Sequence, residues 1–325
     1  MTWKSTLSWD NAKKRAQILQ RIRRFFDSRG VIEVETPLLS KGTVTDVHLD
    51  AFSCEYGFLK NSCDATPQNF FLQTSPEFAM KRLLASGYQS IYQICKSFRD
   101  EGYGQHHNPE FTMLEWYRVG FDHFDLINEI SLLLKETLNC LEPSLISYQQ
   151  VFIDYIDLDP LETSIEELLH VIKYHNKLSD WLEIEKDIDT LLQFIFAELI
   201  EPSIGKERPC FVFDFPKSQA SLAKISAKDP RVADRFECYF HGIELANGFN
   251  ELTDAKEQNQ RFKEDNAKRN LMERKEIPID INFINALDSG LPACAGVALG
   301  VDRLIMLAIN SNSIEDVITF PIENA

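Results

Sequence analysis

Cysteine pairing motifs, an excess of positive charge, long apolar runs and internal repeats are all missing from this chain, and each absence excludes something. The seven cysteines, at 54, 63, 95, 140, 210, 238 and 294, form no CxxC pair, which argues against zinc. An odd, dispersed set fits reduced thiols in a cytoplasm. The net charge is −16, so the surface is not built to neutralise nucleic-acid phosphates over a large footprint. A local basic pocket for a small phosphate ligand is still allowed, because bulk charge governs solubility and steering rather than the chemistry of a buried site. No apolar run is long enough to span a bilayer. The opening MTWKSTLSWDNAKKRAQ has no apolar core after its first lysine and does not read as a secretory signal.

What is present suits a soluble globular protein: 44% apolar and 26% charged residues over 325 positions, with 23 phenylalanines to build a core. Residues 10–29 carry Ile18, Leu19, Ile22, Phe25 and Phe26 at helical spacing and stop at Gly30. VIEVETPLL reads as a strand ending near Pro37. SPEFAMKRLLASG reads as a helix with Ser75 as cap, Pro76 in the first turn and Gly87 as stop. Strands are expected at 91–98 and 110–118, a helix at 123–140, helices on an acidic surface over 150–208, and a buried strand at 210–216. RFECYFHGIELANG reads as two strands broken near His241-Gly242. A long polar helix follows, and CAGVALGVDRLIMLAI runs as a buried strand through glycine into a helix. Strands and helices do not alternate regularly, so the expected class is α+β with a mixed, mostly antiparallel sheet rather than a parallel doubly wound one.

Three stretches carry chemistry. In FRDEGYGQHHNPEF, Arg99 sits where a strand enters a loop; a guanidinium there can grip an α-phosphate through paired hydrogen bonds. On the following strand Phe111, Met113, Glu115 and Tyr117 share one face by alternation. An acid between Met and Tyr needs a partner if it is buried, either an internal ion pair or a cationic ligand. The second stretch holds Glu237, Glu244 and Glu251 at intervals of seven. Seven is odd, so a straight strand would place the first two on opposite faces; a turn or bulge near His241-Gly242 can correct this. Carboxylates so gathered are exposed acids, a pair of raised pKa, or a site for a hard cation such as magnesium with nucleotide phosphates. The third is GVALGVDR at 296–303, where glycines at a strand-to-helix junction admit a ligand close to the backbone. Arg303 lies in the first turn of that helix, poorly placed relative to the helix dipole, which suggests a separate task such as stacking on a base or holding a phosphate.

VETPLL, then FRDE…NPEFTMLEWY, then GVALGVDR, in that order, resembles the three signature motifs of the class II aminoacyl-tRNA synthetases. SPEFAMKRLL, HNPEFTMLEWY, RFECYFHGIELANGFNEL and GVDRLIML are most similar to the lysyl branch. The resemblance runs from about residue 10 to the C-terminus and implies one class II catalytic domain over 1–325. Two features depart from that branch. The core helix begins almost at residue 10, so no anticodon-binding domain is expected, and Ala298 stands where lysyl enzymes usually have glycine. Both departures match a paralogous branch that acts on a protein, elongation factor P, with (R)-β-lysine as its amino acid.

The resemblance implies a ligase using ATP and Mg2+, cytoplasmic and homodimeric through its first motif, with tRNA not its acceptor. It implies that Arg99, Asp100 and Glu101 hold the nucleotide's α-phosphate and adenine amino group, and that Asn108 contacts the nucleotide. Phe111 and Arg303 sandwich the adenine. Glu237 and Glu244 bind magnesium and phosphates, while Glu244, Leu245 and Gly300 line the ATP site. Glu77, Glu115, Tyr117 and Glu251 face the amino groups of lysine, with Ser75 and Pro76 shaping that wall. The methyl group of Ala298 is expected to shrink the space an α-amino group would take. Arg99, Glu244 and Arg303 are the expected catalytic residues, acting by positioning and charge stabilisation without a protein nucleophile. Two other readings stand beside this one: a truncated lysyl-tRNA synthetase, against which the missing Lys/Arg surplus argues, and a non-catalytic synthetase-like regulatory subunit, against which the retained motif arginines and acids argue.

Overall fold

The computed structural model describes residues 3–57 and 68–325, so Cys63 lies outside the described residues. They group into two compact units. The first takes the described residues of Met1–Phe121 together with Leu252–Ala325, and the second takes Asp122–Glu251.

The chain enters the first unit through α1 (Trp9–Asp27), capped by Ser8, whose hydroxyl accepts from the Asn11 N–H. Its apolar stripe, Ile18, Ile22, Phe25 and Phe26, is buried as the spacing predicts. The expected strand over VIEVETPLL is shorter, broken into β1 (Ile32–Glu33) and β2 (Leu39–Ser40). Pro37 has no N–H to give a ladder and restricts the residue before it. After β3 (Ser53–Tyr56) and β4 (Gln68–Leu72) comes α2 (Glu77–Ala85). Pro76 is its cap rather than its first helical residue, the Ser75 hydroxyl accepts from the Glu77 N–H at 3.4 Å, and Gly87 turns the chain away at φ +97°. Strands β5 (Ile91–Phe98) and β6 (Glu110–Val119) then form an antiparallel pair flanking the FRDE loop.

In the second unit, α3 (His123–Leu138) starts from a capping box made by Asp122 and Asp125. It leads to β7 (Ser144–Ser147), α4 (Tyr148–Ile156), α5 (Ile165–Tyr174), α6 (Asp180–Glu183) and α7 (Ile188–Ile195). The acidic helical stretch therefore has its own interior: Phe152, Leu168, Ile172, Leu191 and Ile195 close over Val212 and Tyr239 of the sheet. Strands β8 (Cys210–Pro216), β9 (Val232–Phe240) and β10 (Ile243–Asn250) complete the run β10-β9-β8-β7, antiparallel except for β7 against β8.

The chain returns to the first unit through α8 (Ala255–Leu271), α9 (Ile281–Gly290), β11 (Cys294–Gly300) and α10 (Val301–Ile309). There β11 pairs antiparallel with β6, giving the run β1-β5-β6-β11, in which only β1 is parallel to its neighbour. Phe26, Tyr92 and Trp116 pack together beneath it, the first two rings stacked at 4.5 Å. No helix among the described residues is long and apolar enough to cross a membrane.

Candidate active site

The first unit's sheet supplies a floor. Register pairs Glu115 with Gln93 on one side and with Ala298 on the other; Met113 lies between Cys95 and Gly300, and Tyr117 between Ile91 and Gly296. Phe111, Met113, Glu115 and Tyr117 therefore share a face, as alternation predicts, and that face meets the small residues of β11. Glu115 is 2% exposed, and the Tyr117 hydroxyl donates to its Oε1 at 2.7 Å. Burial, and secondly the Glu115 carboxylate, push the Cys95 thiol up to about 12, so this cysteine stays protonated and is no nucleophile.

At the head of the same face, the backbone N–H of Arg99 donates to Pro109 O at 2.9 Å, and the guanidinium lies 5.2 Å from the Phe111 ring centre. Its Nε is buried and has no hydrogen-bond partner among the described residues, a donor still available to an anion. Asp100 is exposed and Glu101 half-buried. Arg303 Nε donates to His106 O at 3.4 Å, and Nη2 lies 3.2 Å from His107 Nε2. Desolvation first, and then Arg303, His106 and Arg99, bring the His107 ring down to about 4, so the ring is neutral and can accept from Arg303. Both motif arginines thus act on one histidine. A Cβ on Gly300 would stand 3.4 Å from the Arg303 side chain, so that arginine's stem passes beside the glycine at ordinary contact distance.

Asp302 has a role that sequence reasoning missed. It is 2% exposed; Oδ1 accepts from Arg15 Nη1 at 2.6 Å and Oδ2 from the Thr112 N–H at 2.6 Å, while Arg15 Nη2 also donates to the Thr112 hydroxyl at 2.8 Å. This knot ties α1, β6 and α10 together immediately beside Arg303. Its only sequence signal is an acid inside GVDR, because its partner lies 287 residues away. Asn108 is occupied within the protein, donating to Glu110 O at 2.6 Å and accepting from the Ile322 N–H at 3.0 Å. Glu77 is matched by Lys81, its Oε1 lying 2.6 Å from an ammonium group that is 1% exposed. Lys81 Nζ also lies 6.0 Å from the centre of the Tyr117 ring.

In the second unit the spacing of seven is resolved by two devices. His241 and Gly242, at φ +51° and +70°, make the two-residue turn joining β9 to β10. The hairpin sets Glu244 opposite Tyr239, and so on the face of Glu237. A bulge between Glu244 and Ala246 then sets Asn247 opposite Glu237, and alternation carries that face on to Glu251. Glu237 is buried; its Oε1 accepts from Arg235 and from Asn247 Nδ2, and its Oε2 from the Tyr239 hydroxyl. Desolvation raises its pKa most; Arg235 opposes that and the Glu244 charge adds to it. Two hard carboxylates on one face, the Glu244 charge making ionisation of Glu237 costlier, suit a magnesium ion, which takes one or two carboxylates plus substrate phosphates. Leu245 lies at the bulge and is buried, as is Glu251, which bridges to Ala223.

The chain matches the family described as tRNA synthetases class II (D, K and N) over residues 2–324. It is 51% identical over 324 residues to the elongation factor P–(R)-β-lysine ligase of Salmonella typhi, covering 100% of this chain and 98% of that protein. The proteins of the same name from Salmonella paratyphi B and Salmonella schwarzengrund match it equally. The chain belongs to the class II tRNA synthetase family and, within it, to the group of the elongation factor P–(R)-β-lysine ligases.

Proposed function

We propose that the protein is an ATP-dependent ligase that activates (R)-β-lysine as an aminoacyl-adenylate and transfers it to the ε-amine of a lysine on elongation factor P. The observation that carries this reading is the floor of β5, β6 and β11: a buried carboxylate, Glu115, opposite the Ala298 methyl group, on a face headed by a guanidinium with an unspent donor. A buried acid on such a floor is suited to a substrate ammonium. Arg99 orients the α-phosphate, Phe111 and Arg303 stack on the adenine, Glu101 takes its amino group, and Gly300 lines the nucleotide site. In the second unit, Glu237 and Glu244 would hold Mg2+, which when bound supplies charge neutralisation on the phosphates. Glu251 of the second unit takes an amino group of the substrate, and in the first unit Glu77 with Lys81, Ser75 and Pro76 forms a wall of the amino-acid pocket. No side chain has to form a covalent bond: carboxylate oxygen attacks phosphorus, pyrophosphate leaves, and the acceptor amine later displaces the nucleotide. Catalysis is then orientation and fixed charge.

Both units are read as parts of one catalytic domain over 1–325, supported by a family match that runs from 2 to 324. A homodimer built on the first motif is part of this reading, resting on the resemblance of VETPLL to that motif. A cytoplasmic location is supported by the free cysteines, 54, 95, 140, 210, 238 and 294. The test is intact-mass analysis of elongation factor P after incubation with this protein, ATP and (R)-β-lysine. A gain of one β-lysyl group supports the reading; an unchanged mass alongside charging of a tRNA overturns it in favour of a synthetase.

A further inference from the structure

In the second unit a group of side chains remains that neither the nucleotide nor the amino acid calls for. His123, the first residue of α3, is 6% exposed, and neither of its ring nitrogens has a hydrogen-bond partner among the described residues. One ligand atom of His123 and one each of Asp214 and Asp234 lie within 4.8 Å of one another. We propose that these three side chains form a site for one divalent transition cation of the zinc type, distinct from the magnesium assigned to Glu237 and Glu244, and that it pins the start of α3 to β8 and β9.

Each of the three is set up by its own element. Asp214 is a non-glycine residue at φ +58°, within the irregularity between Phe213 and Phe215 where β8 slips against β9; a bulge of this kind re-aims a side chain. The Oδ2 of Asp234 accepts from Asn250 Nδ2 at 3.0 Å, the outer-sphere hydrogen bond that orients a ligating carboxylate. A buried imidazole left without partners is costly, and ligation removes that cost. Asp214 and Asp234, both partly buried and side by side, are a like-charge pair that a cation relieves. Lys228 and the N-terminus of α3 oppose a cation, while Asp122 and Asp229 favour one. The helix end carries roughly half a positive charge, less than the two carboxylates supply.

One imidazole nitrogen with two carboxylate oxygens favours zinc over magnesium or calcium, which prefer oxygen alone. At bond lengths of about 2.0–2.2 Å, tetrahedral ligands stand roughly 3.3 Å apart, so closing the site takes side-chain rotation and leaves one position for water. The cysteine spacing argued against zinc because thiolate sites announce themselves in sequence; a histidine and two aspartates at 123, 214 and 234 do not.

The test uses the full-length chain, stripped with a chelator and titrated with Co2+ under visible absorption, then with Zn2+ as competitor. The expected result is saturation at one equivalent with d–d bands, no thiolate charge-transfer band, displacement by Zn2+, and no displacement by excess Mg2+. Asp214→Asn keeps a residue that tolerates a left-handed backbone and weakens binding at least tenfold. His123→Gln does the same, so the result can be read should one variant fail to fold. A thiolate band, affinity unchanged in a folded variant, or no saturable binding at micromolar metal overturns the proposal.

Discussion

Asp302 sits where a single atom change should be felt both in stability and in nucleotide binding. It is almost wholly buried, accepts two hydrogen bonds of 2.6 Å, and meets a guanidinium that is itself largely buried. Replacing it with alanine leaves Arg15 uncompensated and the Thr112 N–H unsatisfied, which costs about 3–5 kcal/mol for a broken buried pair. A unit of this size loses about 2–4 °C per kcal/mol, so the midpoint of thermal unfolding should fall by about 6–20 °C. Asp302→Asn keeps the shape and one acceptor, and loses about 1.5–3 kcal/mol, the worth of a hydrogen bond to a charged group. Because α10 carries Arg303 next to Asp302, the asparagine variant should also raise the KM for ATP in ATP–pyrophosphate exchange while leaving the KM for the amino acid alone. Urea unfolding of both variants, of Arg15→Met and of Arg15→Met/Asp302→Asn gives the coupling energy. A loss below about 1 kcal/mol, the scale of an exposed ion pair, or strict additivity in the double variant, refutes the picture of a buried knot.

Three other outcomes follow from the site. Ala298→Gly opens space beside Glu115; one methyl group is worth about 1–3 kcal/mol of discrimination, so α-lysine should gain on β-lysine by roughly 10-fold or more, and an unmoved ratio of kcat/KM values contradicts it. Glu115→Gln should lower kcat/KM for the amino acid by about 10–100-fold, the loss of a charged hydrogen bond of about 1.5–3 kcal/mol, with ATP affinity held; a parallel loss for ATP would move Glu115 out of the amino-acid pocket. His107 is held below its ordinary range, so its contribution to stability is fully present above about 6.5 and is lost as pH falls toward its folded value of about 4. NMR titration of its ring should show no protonation between pH 6 and pH 8, and a midpoint near 6.5 would remove Arg303 from its side.

The FRDE loop, its flanking strands and the floor of β6 were legible because each rests on local rules: alternation puts Glu115 with Phe111 and Tyr117, and the glycine of GVDR ends a strand and starts a helix. Pro37 was legible as a stop, but not as the break that splits one expected strand into two short ones. The interior of the helical stretch was harder to see, since Phe152, Leu168 and Leu191 make one cluster only once the helices fold back on Val212 and Tyr239. Long-range partners were not legible at all. Nothing near Asp302 names Arg15, nothing near Glu237 fixes Arg235 and Asn247 as its donors, and the capacity of Glu77 is met by Lys81 one helical turn on. Ion pairing is decided by where side chains arrive, and sequence spacing reports that only within a helix or a strand.

The bulge in β10 has a consequence for which lesions this gene segment can absorb. Strand faces count in odd and even, and the extra residue at Leu245 is what lets an odd interval behave as an even one. Losing one residue between Ala246 and Glu251 would rotate Glu251 to the far side and bury an apolar neighbour's position under charge. Losing Leu245 itself would straighten the ribbon with every downstream pairing kept, at the cost of one buried side chain. Natural length variation in this hairpin should therefore be confined to that single position.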